Sequence, residues 1–274
     1  MKKMMLLLLA VLTLASCSEE KVNVRWATFN MRYDNPNDAP NHWGARKERV
    51  AQYIKEMKFD VFGTQEVLHN QFEDLKSMLP DYEGVGVGRD DGATRGEYAA
   101  IFYNKNVFDA LDSGTFWLSE NPDSIGKLGW DAACVRIATW AKLQHKATGK
   151  IVMAVNTHYD HVGKEARKQS SLLIIRKIKE IVGEQPAVLT GDFNVQPDNP
   201  ALTELNTKMS DARKTAAKTD YRATYNGWGR FASVIDYIYY NGFTSCLEYE
   251  TIVRQYKSIP YISDHYPIVA RLVF

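Results

Sequence analysis

One stretch of the chain decides how it can fold: Ala187-Val188-Leu189-Thr190-Gly191-Asp192-Phe193-Asn194. Its first half is a short apolar, β-rich run, which is typical of a buried strand. Polar residues then follow abruptly, and such a strand delivers polar side chains to the edge of a sheet, where binding and catalytic sites are often built. The stretch therefore predicts a core strand with a candidate site at its end.

Seven further runs of this kind recur, with helical patterns between them. Apolar side chains at helical spacing predict one helix over 46–57 and another over 165–182, which Gly183 ends. Strands mixed with helices over about 250 residues favour an α/β layered sandwich over an all-β shell, although periodicity does not fix the strand order. The predicted strands are 22–29, 61–64, 99–103, 139–143, 151–156, 187–190, 235–240 and 268–273.

The composition is that of a folded protein. The chain has 274 residues, 45% of them hydrophobic and 24% charged, which is too apolar for a disordered protein and long enough for one large core. Thirty-four Lys and Arg against 33 Asp and Glu leave a net charge of +1. This near-neutral balance excludes a strongly basic surface that binds any polyanion. No long linker or repeat interrupts residues 22–274, so we predict one domain there.

The first residues differ from the rest. Two lysines precede an apolar run at 4–15, which is typical of an export signal and shorter than the roughly 20 residues of a transmembrane helix. The run ends in Leu14-Ala15-Ser16-Cys17, which resembles the lipobox of bacterial lipoproteins, where cleavage precedes a cysteine that becomes acylated. We predict a signal peptide over 1–16, followed by a lipidated Cys17 and a short tether over 17–21.

The predicted anchor places the protein in a bacterial cell envelope, attached to the outer membrane. Ser18-Glu19-Glu20 resembles the short acidic signals that send some lipoproteins to the cell surface. A solvated tether explains the same residues equally well. The periplasmic face and the cell surface therefore both remain open.

Two cysteines remain beside Cys17. An exported chain can form disulfides, and Cys134 and Cys246 permit one bridge without demanding it. Neither has a Cys or His at zinc-ligand spacing, and His158-Tyr159-Asp160-His161 lacks the upstream histidines of a zinc-dependent hydrolase, so no zinc site is predicted.

Polar residues appear abruptly after an apolar run at six places along the chain. One Asn or Asp at a strand end is more often a turn former, but six such ends indicate a site. Carboxylates and carboxamides without cysteine suit Mg²⁺, or else Mn²⁺ or Ca²⁺. Imidazoles paired with carboxylates stay protonated and can face an anionic oxygen, for which phosphate is the natural choice beside Mg²⁺. The set comprises Asn30, Glu66, His158, Asp192, Asn194, Asp236, Asp264 and His265.

The order of these motifs resembles the endonuclease/exonuclease/phosphatase superfamily of DNase I-like, magnesium-dependent phosphoesterases. The resemblance runs from Asn30 to His265 and extends to a bacterial subgroup that is often encoded as lipoproteins. It implies a four-layered α/β sandwich, in which two packed mixed β-sheets lie between helices and the site lies at one edge.

The resemblance also implies how the metal and the water are held. Glu66 would be the principal Mg²⁺ ligand, with Asn30 and Asp264 beside it. Asp192 would orient or deprotonate the attacking water. Asn194 would help to hold this water and a phosphoryl oxygen.

Two imidazoles complete the implied catalytic set. His265 would face the phosphate and be oriented by Asp236. His158 would be a second phosphate donor, and Glu97 resembles the carboxylate that orients it in DNase I-like members. Metal and imidazoles together would neutralise the charge that grows on the phosphoryl oxygens.

Insertions around the mouth of the site carry candidate substrate residues. These insertions span 32–43, 90–96, 121–136 and 221–231. Their aromatic and guanidinium side chains suit stacking on a base or sugar and binding a phosphate, although packing within a loop explains each tryptophan as well. The candidates are Arg32, Trp130, Arg136 and Trp228, with Trp43 and Arg230 nearby in the same loops.

The predicted function is Mg²⁺-dependent hydrolysis of a phosphate mono- or diester of a small metabolite, sugar or lipid headgroup by in-line attack of water. The alternative is a nuclease with nucleic acid as partner, for which the near-neutral charge is a weakness. A catalytically inactive binding protein on the same scaffold is the third hypothesis, but it would have no reason to keep the full water-activating set. We expect a monomer.

Substitution of Cys17 by serine tests the predicted anchor. We expect Cys17→Ser to leave the protein without acyl chains and to move it from the membrane fraction to the soluble fraction, because the acyl chains supply the membrane affinity. Fractionation and immunoblotting of cells measure this. A variant that stays in the membrane fraction would show that another part of the chain holds it there.

Overall fold

Two six-stranded mixed β-sheets face each other in the computed structural model, which describes residues 22–254 and 260–274. The predicted signal peptide, Cys17 and the tether lie outside the described residues. In chain order the strands are β1 (Asn23–Asn30), β2 (Val61–Gln65), β3 (Tyr82–Val85), β4 (Ile101–Asn104), β5 (Phe108–Trp117), β6 (Ile137–His145), β7 (Ile151–His158), β8 (Ala187–Asp192), β9 (Ser210–Asp211), β10 (Asp236–Asn241), β11 (Ser245–Thr251) and β12 (Ile268–Val273).

The strand order brings distant segments of the chain together. The first sheet has the order β11-β12-β1-β2-β4-β3 and the second β5-β6-β7-β8-β10-β9. β1 pairs in parallel with β2, and β7 pairs in parallel with β8, while the remaining neighbours are antiparallel. The carboxyl ends of β1, β2, β7 and β8 consequently lie at one edge of the sandwich.

Helices cover the outer faces of both sheets. α1 and α2 share an apolar cluster with the outer face of the first sheet, and α3 and α4 share one with the second. A third cluster fills the space between the sheets. This arrangement confirms the four-layered α/β sandwich. The helices are α1 (Trp43–Met57), α2 (His69–Met78), α3 (Lys164–Val182), α4 (Thr203–Lys208) and α5 (Ala212–Thr215), with single 3₁₀ turns at Pro36–Asp38 and Pro200–Leu202.

The ends of the two long helices follow their sequences. Gly183 ends α3, as its position predicted, with φ of 62° and ψ of −119°. Lys58 ends α1 in the left-handed helical conformation, with φ of 50° and ψ of 53°. Within the described part of the chain, none of the helices has the length and apolarity needed to span a membrane.

The eight predicted strands are the interior strands of the two sheets, and the four strands that were not predicted are the edges. β3 and β11 flank the first sheet, and β5 and β9 flank the second. The middle of β5 is exposed, so it has no apolar run or alternation from which a strand could be predicted. Interior strands are buried on both faces, and their sequences therefore carry the signal.

The inner faces of the central strands change from apolar to polar toward one edge. In β7, Val152 packs in the core between the sheets, Asn156 follows on the same face, and His158 ends the strand. β1 and β8 show the same order and end in Asn30 and Asp192. Because side chains alternate between the two faces of a strand, the same face of each central strand supplies apolar residues to the core and polar residues to the edge.

A buried hydrogen-bond network joins the sheets just below this edge. Gln65 of the first sheet donates from Nε2 to Asn156 Oδ1 of the second at 2.6 Å. Asn156 donates from Nδ2 to the carbonyl oxygens of Thr64 at 2.8 Å and Ala100 at 2.9 Å. The Thr190 hydroxyl lies 3.0 Å from Asn156 Oδ1. The bonds of Asn156 to Gln65, Thr64 and Ala100 connect two sheets that no backbone ladder joins.

Gly63 allows the two sheets to approach here. A Cβ atom at this position would overlap Asn156 Oδ1 and Thr190 Oγ1. The position therefore requires glycine because of the close approach of the facing side chains.

Removal of the Asn156 side chain tests the importance of this network. We expect Asn156→Ala to lower the free energy of unfolding by about 2–4 kcal/mol, because buried donors and acceptors on the opposite sheet lose their partner. Urea denaturation followed by tryptophan fluorescence measures it. Gln144→Ala is the control, because its side chain bonds one carbonyl at an exposed turn, and an equal loss in both variants would contradict the assignment.

Candidate active site

The polar edge of the sandwich gathers the ends of several strands. Parallel pairing of β7 with β8 sets His158 beside Asp192, and antiparallel pairing of β8 with β10 sets Asp192 beside Asp236. Asn30 reaches across from the first sheet, and its Nδ2 donates to Asp192 Oδ2 at 3.0 Å. The structure thus brings together the residues that the sequence singled out. The loops at this edge add Glu66, Asn194, Asp264 and His265.

Three residues of the site lie just after the ends of their strands and adopt the left-handed backbone conformation. The φ angles are 55° at Arg32, 61° at Glu66 and 53° at Asn194. Such non-glycine conformations cost about 1–3 kcal/mol each and occur mainly at functional sites. All three side chains line one cleft, so the sharp turns serve to place them there.

Asp192 lies at the centre of the site. Its Oδ2 is 3.5 Å from His158 Nε2 and 3.7 Å from His265 Nε2, and its Oδ1 accepts the backbone N–H of Asn194 at 2.9 Å. Burial, together with the charge of Asp236, raises the pKa of Asp192 to about 7, although His265 opposes the shift. A carboxylate with a pKa near neutrality can accept a proton from water, in accord with the predicted role of Asp192.

Asp236 and His265 form a buried ion pair. His265 Nδ1 donates to Asp236 Oδ2 at 2.9 Å, and Oδ2 also accepts the Thr224 hydroxyl at 2.6 Å. Burial alone lowers the pKa of His265, but the charge and hydrogen bond of Asp236 and the charge of Asp192 raise it to about 10. His265 is therefore an imidazolium at neutral pH, as its predicted role requires.

His158 is held in the opposite state. Burial, followed by the charges of Arg136 and Arg89, lowers the pKa of His158 well below its ordinary value. Asn194 Nδ2 lies 3.0 Å from His158 Nε2 and 2.9 Å from the Tyr159 carbonyl oxygen. This amide donates to both, so Nε2 is an acceptor and Nδ1 carries the proton. Burial and, after it, the charges of Arg136 and Arg89 thus favour a neutral His158. The role implied for His158 as a second phosphate donor stays a prediction.

Glu97 is chiefly the partner of an arginine. Its Oε2 accepts from Arg89 Nη1 at 2.7 Å, whereas His158 Nδ1 lies 3.8 Å away, beyond hydrogen-bond distance. Arg136 Nη1 lies at a similar 3.9 Å. Glu97 thus lies beside His158 as predicted, but it holds the arginine more closely than the imidazole.

Glu66 offers a carboxylate to a divalent cation. Its Oε1 accepts from Asn30 Nδ2 at 3.1 Å, and its Oε2 lies 3.3 Å from the Tyr33 amide nitrogen. One ligand atom each from Glu66, Asp192 and His265 lie within 4.8 Å of one another. Because this carboxylate is fixed at the cleft and carboxylate oxygens suit hard cations, the residues fit an oxygen-bound divalent ion held by Glu66.

Asn30 and Asp264 lie next to this carboxylate in different ways. Asn30 Oδ1 accepts the backbone N–H of Arg32 at 2.9 Å, so Asn30 positions Glu66 and Asp192 with its amide nitrogen and does not turn its oxygen toward them. The direct ligand role implied for Asn30 stays a prediction. Asp264 Oδ2 lies 3.9 Å from Arg32 Nε, and Arg32 Nη1 lies 3.7 Å from Glu66 Oε2. The guanidinium of Arg32 therefore bridges the two carboxylates.

A cleft of about 420 Å³ opens beside these groups and has buried cationic donors in its wall. Arg136 is 6% exposed, and its Nε and Nη1 have no hydrogen-bond partner among the described residues, nor has Arg89 Nε. Buried N–H groups without acceptors are costly, so they indicate a place for an anion. The lining comprises Arg32, Tyr33, Glu66, Arg89, Glu97, Cys134, Arg136, His158, His161 and Asn194.

The tryptophans proposed for substrate stacking lie outside this lining. Trp130 packs against the apolar cluster that α3 shares with the second sheet. Trp43 is the first residue of α1 and is buried, and its Nε1 donates to Asp74 at 2.8 Å. The ring of Trp228 lies 5.3 Å from the buried guanidinium of Arg46. For these residues the structure favours packing within the loops.

Four cleft residues were not predicted from the sequence: Tyr33, Arg89, Cys134 and His161. Arg89 follows a run of alternating glycines, and His161 follows His158 by three residues, so each had a weak local signal. Cys134 had none, because only the pairing of β6 with β7 brings it to the cleft. Both Cys134 and Cys246 have free thiols.

Comparison with known proteins places this geometry among phosphoester-cleaving enzymes. The model of the endonuclease/exonuclease/phosphatase family matches residues 27–265. An endonuclease/exonuclease/phosphatase from Bacteroides vulgatus is 56% identical, with a TM-score of 0.88 over 92% of this chain and 98% of that one. A mannosyl-6-phosphatase from Bacteroides thetaiotaomicron is 36% identical, with a TM-score of 0.87 over 92% of this chain and 100% of that one.

Curated relatives are more distant. Nocturnin of Drosophila melanogaster is 23% identical over 274 aligned positions, which cover 83% of this chain and 41% of the relative. The chain spans 36% to 43% of the length of the curated relatives it matches.

Variants of Asp236 and His265 test whether these residues act as a unit. We expect Asp236→Asn and His265→Ala each to lower kcat by about 10²–10⁴, and the double variant to be little worse than His265→Ala alone. Steady-state kinetics on a phosphate ester measure this. Asp81→Asn is the control, because that carboxylate is exposed and bonds only the Asn106 amide among the contacts described. Strictly multiplicative losses would contradict the pairing.

The pH profile provides a second readout of the same pair. His265 is charged below its pKa of about 10, so activity that needs the imidazolium falls on the alkaline side. Asp236→Asn removes the negative charge that raises this pKa, and the alkaline limb should therefore move to lower pH. An unmoved limb would assign it to another group.

Proposed function

This chain belongs to the endonuclease/exonuclease/phosphatase family, whose members hydrolyse phosphoester bonds, and we propose that it is a divalent-metal-dependent phosphatase that removes the terminal phosphate of a phosphorylated sugar. The reaction that we propose is the hydrolysis of a phosphate monoester, and the substrate is a sugar phosphate such as mannose 6-phosphate.

Similarity to one characterised structure supports this choice. The mannosyl-6-phosphatase matches over nearly its whole length at 36% identity. The match covers 92% of this chain and 100% of that one. It therefore supports a related substrate more strongly than the distant relatives do.

The observation that carries the proposal is the pair of arginines in the cleft, of which Arg136 is buried and Arg89 is half-buried. Arg89 and Arg136 present guanidinium N–H groups without partners beside His158. A phosphate monoester is a dianion with three terminal oxygens, whereas a diester carries one charge and has two. Two guanidinium groups next to a neutral imidazole match the greater charge of the monoester.

The dimensions of the cleft suit a small substrate. Its volume of about 420 Å³ lies within the range of about 300–1,000 Å³ that is usual for small-molecule sites. The near-neutral net charge gives no support to the nuclease alternative, because binding of a nucleic-acid polymer usually needs a basic surface. The hypothesis of an inactive binding protein also gains no support, because Asp192, Asp236 and His265 are all present.

The residues of the site divide the chemistry among them. A divalent ion, when bound at Glu66 with Asp264 nearby, would supply positive charge to a phosphoryl oxygen. Asp192 accepts a proton from the attacking water, and Asn194 orients that water. The His265 imidazolium donates a hydrogen bond to a phosphoryl oxygen, because Asp236 keeps it charged.

We also propose that the enzyme works from a membrane surface. The lipobox ending in Cys17 supports an acyl anchor on the outer membrane of a bacterial envelope. A phosphatase tethered there would meet sugar phosphates outside the cytoplasm.

A substrate panel tests the proposed function. We expect purified protein to release phosphate from mannose 6-phosphate with Mg²⁺ or Mn²⁺, to lose this activity with EDTA, and to act poorly on bis(p-nitrophenyl) phosphate and on DNA. Faster cleavage of diesters or DNA than of every sugar phosphate would overturn the monoester assignment.

Variants of the two arginines test the role of the cleft. We expect Arg136→Ala and Arg89→Ala each to lower kcat/KM for the monoester by about 10²–10³, and to lower that for the diester by less than tenfold, because the diester carries less charge. Arg95→Ala is the matched control, since Arg95 lies in the same loop as Arg89, is exposed and binds Asp91. Equal losses on both ester types would show that the arginines do not select for charge.

A further inference from the structure

Arg32 lies beside the carboxylates at which we propose that the divalent ion binds. Its Nη1 is 3.7 Å from Glu66 Oε2, and its Nε is 3.9 Å from Asp264 Oδ2. Both distances are longer than a hydrogen bond, so the guanidinium acts on these carboxylates through its charge. Lone pairs of their oxygens therefore remain for another cation, but that cation meets a positive neighbour.

Asp38 holds the guanidinium in this position. Arg32 Nε donates to Asp38 Oδ2 at 2.7 Å, and Nη2 donates to Oδ1 at 3.1 Å, which is the two-point contact that arginine commonly makes with a carboxylate. The guanidinium carbon also lies 4.5 Å from the centre of the Tyr33 ring. The side chain is thus fixed beside Glu66 and Asp264 by contacts that these two carboxylates do not make.

The backbone of Arg32 is held independently of its side chain. Its N–H donates to Asn30 Oδ1 at 2.9 Å, and its carbonyl oxygen accepts from Arg46 Nη2 at 3.2 Å and from Gln71 Nε2 at 3.0 Å. These contacts stabilise the left-handed conformation, with φ of 55°. A substitution of the side chain should therefore change the charge at the site and leave the backbone in place.

We propose that Arg32 weakens the binding of a divalent cation at Glu66 and Asp264, and that its ion pair with Asp38 sets how much free Mg²⁺ the protein needs. The charge of Arg32 cancels that of Asp38, so the pair adds no net charge to the two other carboxylates. Without the guanidinium, the charge of Asp38 would also attract the cation, and the affinity would rise. The inference rests on the proposed function, because that function places the ion at Glu66.

Weak binding of the ion would couple it to the substrate. Mg²⁺ in enzymes is commonly held by one or two carboxylates together with a phosphate of the substrate. Arg32 and Glu66 both line the cleft in which we propose that the phosphate binds. A site in which one carboxylate is already neutralised would hold Mg²⁺ firmly only when the phosphate adds its own negative charge.

Binding of Mn²⁺, measured by electron paramagnetic resonance, tests the proposal without substrate. We expect Arg32→Gln in the full-length protein to lower the Kd for Mn²⁺ about tenfold or more, because it removes the charge and largely keeps the length of the side chain. Arg32→Lys keeps the charge, so its Kd should stay within about threefold of that of the unmodified protein. Glu66→Gln should raise the Kd about tenfold or more, because the ion loses a charged ligand.

Asp38→Asn distinguishes an effect of charge from an effect of structure. It removes a negative charge, so we expect the Kd for Mn²⁺ to rise about threefold or more. Arg32→Gln breaks the same ion pair and should change the Kd in the opposite direction, whereas a structural disturbance would change it in the same direction in both variants. Arg95→Gln is the control, because Arg95 forms an exposed ion pair with Asp91, and it should leave the Kd unchanged.

The outcomes separate this proposal from the proposed function. Tighter Mn²⁺ binding in Arg32→Gln, by a protein that releases no phosphate from any sugar phosphate, would support the role of Arg32 and overturn the proposed function. An unchanged or higher Kd in Arg32→Gln, in a protein whose unmodified form releases phosphate, would overturn only the role of Arg32. Equal tightening in Arg32→Gln and Arg32→Lys would also overturn it, because the charge would then have no effect.

Discussion

The hydrogen bond between Gln65 and Asn156 is the contact on which the site depends. It crosses the gap between two sheets that share no backbone ladder, and its 2.6 Å length requires the side chains of both strands to face each other in register. One step further along the same strand faces, Asn30 donates across the gap to Asp192. The separation of the sheets thus sets the distance between Glu66, which we propose to hold the metal, and Asp192, which we propose to activate water.

The two buried imidazoles show how neighbours decide a charge. His265 and His158 are both close to Asp192, yet the pKa of His265 is raised and that of His158 is lowered. A carboxylate bonded directly to His265 outweighs its burial, whereas guanidinium groups near His158 act in the same direction as burial. One ring is a fixed positive charge and the other a neutral hydrogen-bonding group, although their sequence contexts looked alike.

Most of the fold could be predicted from the sequence, because the interior strands are buried on both faces and their apolar runs record it. The edge strands could not, since β5 exposes its middle and carries no such run. The proximity of the candidate site residues was predicted from polar residues that follow apolar runs. Of the two cleft arginines, only Arg136 was predicted. The place of Cys134 in the cleft was not predicted, because adjacency across β6 and β7 depends on strand pairing that periodicity does not record. The charge of His158 also depends on groups that only the tertiary structure assembles.

The single period of two residues that runs from core to catalytic edge couples two properties that protein engineers usually try to vary separately. An insertion of one residue between Val152 and His158 would place the two side chains on opposite faces of β7, so that either the core or the cleft would lose its residue. A shift of register in the central strands would therefore lower both the stability of the fold and the rate of turnover. New substrate ranges should be sought by changing the lengths of the rim loops, where an added residue leaves every strand register intact.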